Sequence, residues 1–238
     1  MGLFDVFKGG GSGIDKHIAR VANKRAQQHE RWESIQTLAA DGSDEAIRGL
    51  LTRFGMKVDP SITDREEKNE AFRCIVSLGE AAVQPVQDLL QSTDTLAWPL
   101  KMLKELRSDE QVTDALLGLL SKMDTEYERD PQKKIDVLAS LEERADVRIV
   151  AAVMPFLDDM NETVRFHSVG AIFAQENAAD AQEALVTAFI GEESVRVRMQ
   201  VLDGYISRKW LFTDRTDEVS KRIPNSYALG KKGDARKK

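Results

Sequence analysis

Five copies of one apolar stripe constrain this chain more than any other feature. Ser43, Ala46, Ile47, Leu50 and Leu51 form the first, and Ala82, Pro85, Val86, Leu89 and Leu90 the second. Val112, Ala115, Leu116, Leu119 and Leu120 follow, then Ile149, Ala152, Val153, Phe156 and Leu157. Ala181, Ala184, Leu185, Ala188 and Phe189 are the fifth. The i, i+3, i+4, i+7, i+8 spacing lines one face of a 3.6-residue helix. The copies start at 43, 82, 112, 149 and 181, so the period wanders between 30 and 39 residues. A short helix with one stripe can bury it only against neighbours, so a fixed repeat of such helices predicts a stack with one continuous core.

First helices fill the gaps, near 30–40, 64–78, 96–107, 131–143 and 162–175. A sixth, 193–207, carries Val195, Met199, Leu202 and Ile206 and aligns on its predecessor at an offset of 31, Val195-Arg196 on Val164-Arg165. The pair in 158–189 is the best defined, with Val164, Ala171 and Ile172 on one side of its first helix and Phe166, Val169 and Phe173 on another. Polar links such as Asp41-Gly42-Ser43-Asp44 and Ser108-Asp109 supply turn and N-cap residues. Two links are longer, 55–63 and the acidic 123–131.

The ends differ from this body. Residues 1–8 hold Leu3, Phe4, Val6 and Phe7 and are tethered by the flexible run 9–13, a plug suited to docking on a partner or a membrane surface. A capping helix is expected over 14–27, with Lys16, Arg20 and Lys24 on one face. The body spans 28–207. In 208–238 a small hairpin over 224–233 is expected to cover the end of the stack, followed by a loose basic tail, 234–238.

Particular residues resemble a known family. The run Leu78-Gly79-Glu80-Ala81-Ala82-Val83-Gln84-Pro85-Val86, closing on Leu89-Leu90, resembles the second helix of a HEAT-like repeat. Asn161-Glu162-Thr163-Val164-Arg165 and Glu193-Ser194-Val195-Arg196 resemble the start of its first helix. The resemblance covers roughly 28–207; the period is below the ~40–47 residues of larger HEAT proteins and is similar to that of compact bacterial HEAT-like repeats. It implies an all-α fold, a right-handed α-solenoid of five to six helix pairs, with first helices convex and second helices concave. It makes Arg165 and Arg196 structural, bonding to an acid of a neighbouring repeat, with Asp159 and Glu192 or Glu193 as partners. It implies a non-catalytic scaffold that holds a protein partner, and no cofactor. Some HEAT-like proteins are alkylpurine DNA glycosylases with Trp and Asp in a basic groove. Here Asp94 and Trp98 stand one turn apart, in the reverse order and directly before Pro99. The resemblance also admits HEAT-like lyases that attach phycobilins, for which no residue here speaks beyond the expected fold.

Charge sharpens the expectation. Residues 1–31 hold six Lys/Arg against three Asp/Glu, net +3; 32–207 hold 18 against 33, net −15; 208–238 hold ten against four, net +6. An acidic body repels nucleic-acid phosphates and suits a basic protein partner, which leaves nucleic-acid binding to the basic ends. The longest apolar run, 149–157, falls well short of the ~20 residues of a membrane helix. No leader pattern precedes the body, and Cys74 is the one cysteine, so a cytoplasmic protein without disulfides is expected.

Other chemistry finds little support. Asp124, Glu126, Glu128 and Asp130 alternate, but the sixth and twelfth positions of a calcium loop would be Arg129 and Ile135. His17, His29 and His167 are scattered, so no zinc spacing exists. Cys74 sits among Phe72, Ile75 and Val76 like a small hydrophobe. The 9–13 glycine run lacks the Lys-Ser/Thr ending of a phosphate loop.

Overall fold

A computed structural model describes residues 13–238 of the chain. The apolar plug 1–8 and most of its glycine tether lie outside the described residues. The described chain is mainly helical, and its one sheet has two strands. It forms two compact units, the first ending at Ser108 and the second starting at Asp109.

The first unit holds α1 (Gly13–Val21), α2 (Gln28–Asp41), α3 (Asp44–Leu51), α4 (Ser61–Ser77), α5 (Glu80–Ser92) and α6 (Ala97–Leu106). Local chemistry starts and stops these helices. Gln27 and Glu30 make a reciprocal capping box at the start of α2. Gly42 ends α2 at φ 64°, where a side chain would be strained, and its N–H donates to the Leu38 carbonyl. The Ser43 hydroxyl then accepts from the Ala46 N–H and opens α3.

Packing follows a rule of next-but-one neighbours. α1 packs on α3 and α3 on α5, while α2 packs on α4 and α4 on α6. Ala46, Ile47, Leu50, Ala82, Val86 and Leu90 of the first two stripes are fully buried between these rows. A cluster of charge is buried with them. Arg31 grips Glu67 with two bonds of 2.9 and 2.8 Å, and Arg53 donates to the same carboxylate at 2.9 Å. Asp64 takes Arg53 at 2.9 Å and Lys68 at 2.8 Å. Arg53 and Glu67 are fully buried; the Ala26 carbonyl also accepts from Arg31, and the Met56 carbonyl from Arg53. Burial works against the Asp64 charge, but Lys68, Arg53 and the Val58 N–H outweigh it and hold its carboxyl below the usual range.

The second unit holds α7 (Asp109–Leu120), α8 (Gln132–Glu142), α9 (Arg148–Val153), α10 (Glu162–Ala174), α11 (Gln182–Gly191), α12 (Val195–Arg208) and α13 (Thr216–Ser220). A 3-10 turn, Met154–Asp158, extends α9, and another, Ala178–Ala181, leads into α11. The same rule holds: α8 packs on α10 and α10 on α12, while α7 packs on α9 and α11 on the 154–158 turn and on α13. Where a straight second helix was expected, stripes four and five are built from a helix joined to a 3-10 turn. Ile149, Val153, Phe156, Ala181, Leu185 and Phe189 are buried nonetheless.

The C-terminal hairpin differs from the expected one. β1 (Tyr227–Leu229) pairs antiparallel with β2 (Ala235–Lys237), so the basic residues expected as a loose tail form the second strand. Gly233 decides this register. At φ 82° it lies against the Phe212 carbonyl, which a Cβ would approach to 2.4 Å, and its own carbonyl accepts from Phe212 N–H. Asp203 on α12 takes both the Tyr227 hydroxyl, at 2.7 Å, and the Lys237 ammonium, at 2.9 Å. Behind the hairpin Tyr205 stacks on Phe212 at 4.0 Å, with Trp210 edge-on at 5.4 Å.

Removing one partner of a buried charge cluster leaves the others uncompensated. Glu67→Gln, which strands Arg31 and Arg53, should lower the unfolding free energy by about 3–5 kcal/mol in urea. Removing Arg48, which is exposed beside Asp44 and Asp88, should leave the urea midpoint almost unmoved.

Candidate functional site

The second unit carries along one edge the links that join each helix pair to the next, and they are laced together. Lys134 on α8 is buried, and its ammonium donates to the Asp159 carboxylate at 2.9 Å and the Asp124 carbonyl at 2.6 Å, with Glu128 3.6 Å away. The Met160 N–H donates to the Thr125 carbonyl at 3.1 Å. Asp159 also accepts from the Asn161 N–H at 2.8 Å, and Asn161 caps α10. From α10, Arg165 donates to the Asp159 carbonyl and closes a two-bond fork on Glu192, at 2.7 and 2.8 Å. The Ser194 N–H donates to Glu192, and the Ser194 hydroxyl donates to Glu162 at 2.7 Å. Links 123–131, 158–161 and 192–194 are therefore tied in series.

The sequence-predicted residues fall into place unequally. Arg165 meets Glu192 by its fork and Asp159 through a backbone carbonyl, while the Asp159 carboxylate serves Lys134. Arg196 is exposed, and its guanidinium lies over the Phe166 ring at 3.7 Å instead of on an acid. Thirty-one residues beyond Glu192, the offset that relates Arg165 to Arg196, stands Ile223, so no carboxylate occupies the matching place. Lys134 precedes Arg165 by the same 31 residues and is the member of the series that sequence reasoning missed. The offset alone would have found it.

Asp94 and Trp98 do not form a site. Asp94 is exposed in the link before α6, whose N-cap is Leu96 without a side-chain cap, so Asp94 neither caps the helix nor shares a helix face with Trp98. Trp98 is half-buried against Phe54 at 5.0 Å and Phe72 at 6.1 Å, with the Lys101 ammonium over the Phe72 and Trp98 rings. Burial and the neighbouring Glu70 carboxylate push the Cys74 thiol up, which makes it a poor nucleophile at neutral pH. His167 lies 3.1 Å from Glu142. Among the described residues no three His, Cys, Asp or Glu are grouped to hold a metal, and no helix is long and apolar enough to cross a membrane.

Beside the laced edge lies a cleft of about 1050 Å³. Met154, Pro155, Leu157, Ala184 and Ala188 supply apolar lining, and Asp158, Asp180, Glu183 and Glu193 stand on it as exposed carboxylates. Arg165 is the one cation of the lining, and Glu192 neutralises it. The arrangement offers apolar contact and exposed negative charge. No protein-family model, curated protein or solved structure matches the chain.

Glu192 links the edge to pH. Burial disfavours its charge, but the Arg165 fork and the Ser194 N–H outweigh that and hold its carboxyl below the ordinary value of 4.5. Such a group stabilises the fold fully above its unfolded value and loses that contribution as pH falls through the depressed one. Glu192→Gln should therefore be less stable than wild type near neutral pH, and the gap should shrink as pH falls from about 6 to about 3. Urea unfolding at stepped pH checks this, and a constant gap would refute it.

Proposed function

We propose that the chain is a non-catalytic HEAT-like scaffold that holds a basic protein segment in the acidic cleft of its second unit. The cleft carries the reading: four exposed carboxylates stand on an apolar lining whose single cation is already paired. A Lys/Arg-rich segment would set its ammonium or guanidinium groups against Asp158, Asp180, Glu183 and Glu193, and lay side-chain stems on Met154, Leu157 and Ala184. The laced edge supports the reading, because pre-ordered links hold the rim without an ordering cost on binding.

The solenoid is part of the same proposal. Next-but-one packing within each unit is what a right-handed stack of five to six HEAT-like pairs requires, and the 31-residue offset relating Lys134, Arg165 and Arg196 supports it. On this reading Arg165 is structural, and Trp98 packs the first unit.

Fluorescence anisotropy with a labelled Lys/Arg-rich peptide tests the proposal. Wild type should bind it, more weakly as salt rises, and the triple variant D180K/E183K/E193K should lose at least about tenfold in affinity through slower association and faster dissociation together. Undiminished binding by the triple variant, or a preference for duplex DNA over the peptide, would overturn it.

A further inference from the structure

Beyond the cleft, two arginines stand apart from those that are paired with acids. Arg31, Arg53, Arg107, Arg148 and Arg165 each meet a carboxylate. Arg198 and Arg222 do not. Arg198 donates to the Arg222 carbonyl at 2.7 Å and the Glu193 carbonyl at 3.5 Å, and Arg222 donates to the Glu192 carbonyl at 2.7 Å. Each guanidinium has five N–H donors. The Nε of both is buried with no acceptor, so the backbone carbonyls leave these groups unsaturated and neutralise neither charge.

Both side chains line one pocket of about 500 Å³ with Val195, Lys221, Asn225 and Ser226 and two further apolar residues. Its lining holds three cations and no Asp or Glu. Of the acids near it, the Glu192 carboxylate is forked by Arg165, and Glu218, which acts on Lys221 through space, is held by Arg215, while Glu193 meets Arg198 by its carbonyl and lines the cleft. Val195 and Arg198 belong to the body of net −15, whereas Lys221 and Arg222 come from the basic segment 208–238, net +6, so the pocket gathers three cations and two neutral hydrogen-bonding side chains where that segment meets α12.

We infer that this pocket binds a phosphate-type oxyanion, free or as a small phosphate monoester. A dianion answers two guanidinium charges and one ammonium better than a single carboxylate would. The planar guanidinium fork matches phosphate oxygens, Lys221 adds a point charge, and the Ser226 hydroxyl and Asn225 amide can donate to the remaining oxygens. The site is independent of the acidic cleft: the link 192–194 lies between them, and none of its cations lines the cleft.

Isothermal titration of the full chain with inorganic phosphate and, separately, with phosphoserine tests the inference. ¹⁵N spectra of the arginine Nε–H groups accompany both titrations. Saturable binding with a dissociation constant below about 1 mM is expected, with shifts at two Nε–H resonances that R198K and R222K identify. Lys221→Glu should weaken binding at least about tenfold without moving the melting temperature, since Lys221 is exposed. Lys16→Gln, a cation on α1, should bind as wild type does. Equal binding of both probes points to free phosphate chemistry, and preference for phosphoserine points to an ester; either supports the site. No binding at about 10 mM, or equal affinity in wild type and Lys221→Glu, would overturn it.

Discussion

The helices of this protein are five to seventeen residues long, most of them too short to be stable alone in water, and their apolar faces need cover. Every stripe must find cover on a neighbour, and the connections are too short to reach a distant one. Packing on the next helix and on the next but one is the arrangement that covers all of them. It puts α2, α4 and α6 in one row and α1, α3 and α5 in another, and α8, α10 and α12 follow the same course in the second unit. The ends of such rows would expose a face. At the C-terminal end Tyr205, Trp210 and Phe212 pack together, with Phe212 bonded to the turn of the hairpin.

Charge placed inside this packing does a different job from the stripes. Exchanging a buried ion pair for apolar groups of equal volume is often neutral or stabilising, so the pairs are better understood as setting distances. Glu67 draws Arg31 of α2 and Arg53 of the turn after α3 onto α4, and fixes three elements at once. In the second unit Lys134 and Arg165 do the same in series, each reaching from a first helix to a link beyond it. The links therefore come to the surface as ordered chain.

That order gives the edge of the second unit its two contrasting surfaces. On one side of the link 192–194, carboxylates stand over an apolar lining; on the other, guanidinium groups bonded only to carbonyls face a pocket without acids. Glu192 stands at the division. Its carboxylate is spent on Arg165, so Arg222 is left with the Glu192 carbonyl alone. One side chain's choice of partner thus separates the two surfaces.

The positions of the helices were legible because the signals for them are local. Apolar spacing, Gly42, Ser43 and Asn161 mark helices and their ends through interactions within a turn or two of chain. The hairpin was partly legible: a glycine-rich turn before a basic end was visible, but β2 at 235–237 forms only because Phe212 and Asp203, both distant in sequence, meet Gly233 and Lys237. The residues proposed to bind were not legible. Asp180, Glu183 and Glu193 look like any solvated acids, and Arg198 and Arg222 like any solvated bases.

By itself, then, the sequence determined that the chain makes short helices, that their apolar stripes must be buried, and that the charge is acidic in the body and basic at the ends. Those follow from composition and from interactions a few residues long. Only the tertiary structure decided which acid each base would meet: Arg165 takes Glu192, Asp159 turns to Lys134, Arg196 lies on Phe166, and Arg198 and Arg222 take no acid. Partner choice depends on which side chains packing brings within about 3 Å, and that distance is fixed by the packing of whole helices.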